Sequence, residues 1–305
     1  MSALLFEGWS GLSRIPAAPP VAGTPLVVAI HGGTYTSLYF DVPGYSLLDR
    51  ATDNHIPIVA LDRPAYGLTP ALTEGTATIA NQARHLIPTL HQAWRQYGLG
   101  TSGIVLIAHS IGAAIAATIA SEAEDLPLIG LAISGVGLRT PGTHRSMWEA
   151  LPDTPMVEMP TPIKDQLMFG PPGSFDGAVM PAASHIANVP VPKAELVDIV
   201  SGWSENVHAT LGRITVPVHY RQGEIDRLWI VDQDEVTGFA AALTASPHVD
   251  AAIMNGTGHC MDFHHVSAAF QLQQLAFALQ CGAECLTSPA PQLTGLYGRE
   301  RRRPR

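Results

Sequence analysis

Cysteine is scarce in this chain, with three in 305 residues, at positions 260, 281 and 285. An odd count without paired short spacings excludes a disulfide framework and a zinc-finger-type site. One Cys281–Cys285 bridge is sterically allowed but not required. Charge is thin as well, at 14% of residues against 46% hydrophobic ones, so a disordered chain is excluded and a sizeable core is expected. The formal net charge is −9, and Arg299, Arg301, Arg302, Arg303 and Arg305 crowd the last seven residues, which leaves the body more acidic still. Such a body repels nucleic acid, and no basic patch with interleaved aromatics is present. Residues 286–305 read as a flexible, solvated Arg-rich tail. No run approaches the about 20 continuous apolar residues of a membrane span. The opening Met1-Ser2-Ala3-Leu4-Leu5-Phe6-Glu7 lacks the basic start and apolar centre of a secretory signal. A cytoplasmic protein with a small-molecule partner, and neither nucleic acid nor membrane, is the expectation. The sequence carries no signal of an oligomeric state.

What is present is a rhythm. Apolar runs at Leu26–Ile30, Ile56–Leu61, Ile104–Ala108, Leu128–Ser134, Val216–Arg221 and Val249–Met254 alternate with helical patterns. Those patterns lie near Thr76–Tyr97, Ile111–Glu124, Asp232–Thr244 and His265–Gln280. Alternation of this kind predicts an α/β fold, a mostly parallel sheet covered by helices. Residues 1–22 are expected to add one or two edge strands. Residues 138–213 break the rhythm with Pro-Gly punctuation, one predicted helix over Lys193–Trp203 and five of the chain's eight methionines. A long insertion between sheet strands reads as a cap or lid. Its methionines suit either an adaptable pocket or plain packing. The expected division is therefore a core of residues 1–137 and 214–285, an insertion of 138–213, and the tail.

The stretch Ala108-His109-Ser110-Ile111-Gly112 joins a predicted strand to an Ala-rich predicted helix. A serine at the apex of a tight strand-to-helix turn needs small residues two before and two after it, because larger ones would strike neighbouring backbone. Ala108 and Gly112 fill those places. A serine hydroxyl is a weak nucleophile unless a base lies within hydrogen-bond reach and a carboxylate orients the base. In an open parallel sheet these groups are expected at the carboxyl ends of strands. Among thirteen histidines, His259 follows the last predicted strand in the glycine-flanked Asn255-Gly256-Thr257-Gly258-His259. His264 and His265 stand close behind, where a helix starts. Asp226, three residues past Gly223, is the favoured carboxylate, with Glu224 its competitor. The first clear strand runs into His31-Gly32-Gly33-Thr34. Its glycines allow close backbone approach, so Gly33 N–H, or else Thr34 N–H, is expected to join Ile111 N–H in holding an oxyanion. His31 reads as structural.

These motifs, with Asp62-Arg63-Pro64-Ala65-Tyr66-Gly67, occur in the order Ser, Asp, His, and over residues 24 to 280 the chain resembles the α/β-hydrolase superfamily. The resemblance implies a cap inserted after the sixth strand, a structural role for Asp62 and Arg63, and a catalytic Ser110–Asp226–His259 triad needing no metal or organic cofactor. Ala108 replaces the usual first glycine of the elbow. Ser110 excludes those relatives that carry aspartate there, the haloalkane dehalogenases and epoxide hydrolases. The expected activity is hydrolysis of a small or medium apolar carboxylic ester or lactone. Carbon–carbon bond hydrolysis or a lyase reaction by the same triad is the alternative, and a non-catalytic ligand-binding protein the other. Thr34, His109, Met147, Trp148 and Met168 are the candidates for the pocket wall.

Overall fold

In the computed structural model, residues 3–287 are described, except Glu7, Glu74, Ala178 and Val179. The Arg-rich tail from residue 288 onward lies outside them. The chain opens with strands β1 (Ala3–Phe6), β2 (Trp9–Arg14) and β3 (Leu26–Ile30), then helix α1 (Leu47–Asp53) and strand β4 (Ile58–Leu61). Helix α2 (Ile79–Tyr97), β5 (Ile104–His109), α3 (Ile111–Glu122) and β6 (Leu128–Ser134) follow. Residues 138–213 then supply α4 (His144–Glu149), β7 (Met156–Val157), α5 (Thr161–Phe169), β8 (Val191–Pro192), α6 (Lys193–Val200) and α7 (Gly202–Leu211). Strand β9 (Val218–Gly223), α8 (Gln233–Ala242), β10 (Val249–Met254) and α9 (Ser267–Thr287) complete the order.

Eight strands form one sheet in the order β1-β2-β4-β3-β5-β6-β9-β10. The six from β4 to β10 pair in parallel, and β1 and β2 run antiparallel along one edge. The central strands are buried on both faces, which is why they read as unbroken apolar runs rather than alternating ones. In β3, Leu26, Val28 and Ile30 pack into the cluster that holds the inner faces of α2 and α3. Val27 and Ala29 point the other way, into the cluster with α1 and α9.

Two strands begin later than the sequence pattern suggests, β4 at Ile58 and β9 at Val218. Pro57 and Pro217 stand just before them, and proline has no N–H to give to a ladder. The predicted helix Lys193–Trp203 is instead two helices, because Ser201 leaves helical geometry at φ −122°, ψ −82°. Helix α9 runs to Thr287, past the residue 285 boundary drawn from the sequence. The three cysteines are free, so the Cys281–Cys285 bridge is not formed. Among the described residues no helix is long and apolar enough to cross a membrane.

Candidate active site

The turn after β5 is strained in a way that exposes one side chain. Ser110 adopts φ 56°, ψ −128°, a conformation that costs a non-glycine residue about 1–3 kcal/mol. Its N–H bonds Ser134 O at 2.8 Å, and its carbonyl accepts from Ala113 N–H at 2.8 Å. Serine at a helix N-cap ordinarily spends its hydroxyl on the first turn. Here it makes no such bond. The neighbouring glycines are sterically required, since a Cβ on Gly112 would lie 2.3 Å from His31 O and one on Gly32 would lie 2.8 Å from Ser110 Cβ.

The freed hydroxyl meets His259. Ser110 Oγ lies 2.8 Å from His259 Nε2, and His259 Nδ1 lies 2.7 Å from Asp226 Oδ2. With Nδ1–H donating to the carboxylate, Nε2 is left to accept the serine proton. Asp226 is itself held, accepting from Gln222 Nε2 at 3.0 Å and from Leu228 N–H at 2.8 Å. Glu224 is placed elsewhere. It accepts the Gly256 N–H at 2.7 Å and so pins the start of the histidine loop. His264 fastens the other end of that loop. Its Nδ1 lies 2.9 Å from Cys260 O, and its Nε2 lies 2.9 Å from both Gly258 N and Phe169 O, so the ring ties the loop to the end of α5. His265 is exposed.

Behind the serine, the loop after β3 is gripped by Arg63. The guanidinium donates to His31 O at 2.9 Å and Gly32 O at 3.0 Å. His31 accepts the Arg63 N–H at Nε2, so its Nδ1–H donates to Gly32 O at 2.7 Å. Burial, with the Arg63 charge adding to it, pulls the His31 pKa down to about 3, so the ring is neutral. Because the peptide unit is planar and trans, fixing the Gly32 carbonyl on one side aims the Gly33 N–H the opposite way. Ile111 N–H, in the first turn of α3, has no intrahelical partner. Arg63 is balanced by Glu195 from α6, at 2.7 and 3.1 Å, and both side chains are fully buried. Burial works against the guanidinium charge, but Glu195 and Tyr66 together outweigh it and hold the Arg63 pKa above its ordinary value. Glu195 also accepts from Gln82 at 2.8 Å and from the Tyr66 hydroxyl.

A narrow cavity of about 50 Å³ opens beside Ser110, bounded by Gly33, Thr34 and Ile111. Its far walls come from residues 138–213 and from the loop after β9, with Trp148, Met168 and Trp229 among them. Two expected wall residues stand outside it. Met147 is 46% exposed, because the short helix α4 turns its neighbour Trp148 inward instead. His109, the last residue of β5, points away from the Ser110 side chain. It stacks on Tyr39 and lies 4.7 Å from the His259 ring, with a Ser134 contact at 3.4 Å. Burial, then the His259 charge, lowers its pKa well below the ordinary histidine value.

The sequence reading missed Gln222, Glu195 and Lys164. Gln222 had one visible signal, a polar residue at the end of an otherwise apolar strand. Glu195 and Lys164 sit in helices whose pattern does not distinguish a buried charge from a solvated one.

The alpha/beta hydrolase family model matches residues 27–271, and the chain belongs to that family. No curated protein matches it. Similar solved structures include E-2-(acetamidomethylene)succinate hydrolase, at 16% identity and TM-score 0.64, covering 92% of this chain and 99% of that one. The monoacylglycerol lipase of Paleococcus ferrophilus is 17% identical, with TM-score 0.60 and coverage of 85% and 97%. The 2-hydroxy-6-oxo-6-phenylhexa-2,4-dienoate hydrolase of Rhodococcus sp. strain RHA1 is 19% identical, with TM-score 0.61 and coverage of 88% and 94%. At these identities the likeness is one of fold. Membership of the family makes this protein a hydrolase.

Proposed function

We propose that this protein is a serine hydrolase that cleaves a small carboxylic ester or lactone through an acyl-enzyme. The observation that carries the reading is the bonded chain Ser110–His259–Asp226, opening on a narrow, largely apolar cavity. Ser110 Oγ attacks the acyl carbon while His259 Nε2 takes its proton. Asp226 keeps the imidazole in the needed tautomer and stabilises its charged form. The Gly33 and Ile111 N–H groups hold the oxyanion, and preorganised donors of this kind supply much of the rate. As the tetrahedral species collapses, His259 returns the proton to the departing alkoxide. Water, deprotonated by the same nitrogen, then releases the acid and restores Ser110. Residues 138–213 act as a cap whose Trp148 and Met168 contact the substrate. The lipase and the dienoate hydrolase among the similar structures are compatible with this chemistry but do not select a substrate.

The test is the intact mass after brief exposure to a fluorophosphonate, alongside turnover of short-chain 4-nitrophenyl esters. A single adduct on the unmodified protein, absent from Ser110→Ala, is expected. Turnover should fall in that variant by several orders of magnitude, because triad members act as a unit. A Ser110→Ala protein with near-normal turnover would remove the mechanism.

A further inference from the structure

One wall of the cavity beside Ser110 carries a buried lysine. Lys164, on α5, is 2% exposed and is one of the residues that line the cavity, as is Thr34. Its Nζ donates to Thr34 O at 3.0 Å and to Asn188 Oδ1, and lies 3.5 Å from the centre of the Tyr35 ring. All three partners are neutral. Among the described residues no carboxylate stands within ion-pair distance of it. The adjacent Asp165 is engaged by His185 at 3.1 Å. The nearby Cys260 is no counter-ion either, since burial pushes its thiol up to about 12. Desolvation draws the lysine itself down to about 7.

A buried ammonium without a counter-ion is costly. Bridging Thr34 O and Asn188 does not explain it, because a neutral amide donates to two oxygens without that penalty. A second group beside it is also incomplete. Thr34, another residue of the cavity lining, has a buried Oγ1 with no hydrogen-bond partner. A positive charge and an unused hydroxyl at one spot complement a single anionic group with two acceptor oxygens. We infer that the substrate of this site bears a carboxylate, held by Lys164 and the Thr34 hydroxyl while Ser110 attacks the ester. A bound carboxylate favours the protonated amine, and one protonated lysine matches one unit of charge. A phosphate monoester, near two negative charges at neutral pH, would leave half its charge unmatched in so apolar a cavity. The inference rests on the serine-hydrolase reading and names its substrate class.

The experiment compares kcat/KM for two matched pairs at pH 7. Mono-4-nitrophenyl glutarate against 4-nitrophenyl pentanoate places the charge on the acyl side. 4-Acetoxybenzoate against phenyl acetate places it on the leaving group. In at least one pair the carboxylate member is expected to be favoured by about tenfold or more, the effect of a charge-assisted hydrogen bond. Lys164→Gln, which keeps a donor and removes the charge, should bring that ratio to about one, and Thr34→Val should lower it severalfold. Preference for the neutral ester in both pairs, with turnover intact, overturns the inference and leaves the hydrolase reading standing. A carboxylate preference that survives Lys164→Gln overturns the assignment to Lys164. Absence of turnover together with absence of a fluorophosphonate adduct at Ser110 defeats the hydrolase reading itself.

Discussion

Replacing Glu195 by alanine tests how far residues 138–213 are built into the catalytic machinery. The carboxylate receives Arg63 twice, Gln82 and Tyr66, and neither it nor the guanidinium reaches solvent. Removing it strands a buried charge, which costs about 3–5 kcal/mol in comparable pairs. For a chain of this size that corresponds to a fall in Tm of roughly 5–8 °C. The catalytic effect travels one step further. Arg63 fixes the Gly32 carbonyl, and the Gly32–Gly33 peptide carries the proposed oxyanion donor. Complete loss of one such donor costs about 10²–10³ in kcat, which bounds the effect from above. A fall of at least tenfold in kcat, with a smaller change in KM, is expected. Fluorophosphonate labelling of Ser110 should slow in parallel, since it passes through the same oxyanion geometry. Glu195→Gln, which fills the space and keeps an acceptor oxygen, should fall between the two. The assays are thermal unfolding, ester turnover and the labelling rate on one preparation. A Glu195→Ala protein that melts lower but keeps its kcat would refute the link to the Gly33 peptide. One that also keeps its Tm would refute the energetic reasoning altogether.

Two further predictions use the same assays. Asp226→Asn should lower kcat by about 10⁴ by favouring the wrong histidine tautomer. Glu224→Gln, whose position only ties the loop at Gly256, should lower it little, and equal losses in the two variants would sink the assignment of the carboxylate. Stability should fall as pH drops below the ordinary histidine range, measured as the urea midpoint between pH 7.5 and 5. Burial first, with Arg63 and Arg221 adding respectively, lowers His31 to about 3 and His219 to about 4. Burial also lowers His109 and His264. A histidine depressed in the folded state contributes stability that is complete above its unfolded pKa, about 6.5, and is lost as pH falls toward the folded value. His31 and His219 each contribute a slope of up to about 1.4 kcal/mol per pH unit in that window, and His109 and His264 act in the same direction. Asp262, pushed up by burial, works in the opposite sense at lower pH. A midpoint that stays flat from pH 7.5 to 5 would contradict the neutral, buried state of these rings.

The parts of the site that could be read from the sequence are those whose geometry is local. Ser110 announces itself because the turn forces small residues at 108 and 112, and the strand before and helix after it are strongly patterned. His259 and Asp226 are legible because both follow strands whose carboxyl ends share one edge of the sheet, so that topology brings together residues 33 apart. Strand starts at β4 and β9 were misplaced because apolarity marks burial, whereas prolines 57 and 217 decide where the ladder begins. The break at Ser201 is invisible to periodicity, since the apolar pattern continues through it. Met147 and Trp148 are adjacent in a six-residue helix, too short for phase to say which one faces in.

What remained hidden shares one property. Glu195 meets Arg63 across 132 residues and Lys164 meets Thr34 across 130. In both cases a charge in an irregular insertion finds its partner in the loops around Arg63 and Thr34 of the sheet core. A charged residue on a helix reads as solvated until the surface it faces is known, and here that surface is the rear and rim of the candidate active site. The two contacts differ in kind. Glu195 neutralises Arg63 and completes a fully satisfied network, so its role is to position. Lys164 has no carboxylate within ion-pair distance among the described residues, and on the inference drawn above it awaits an anionic group of the substrate. On the proposed function, the same insertion supplies rigidity behind the Gly33 peptide and selectivity in front of it. Exchanging residues 138–213 for another insertion should consequently change both substrate preference and kcat, whereas an insertion that only shielded the site from water would change neither preference nor the fit of the Gly33 peptide.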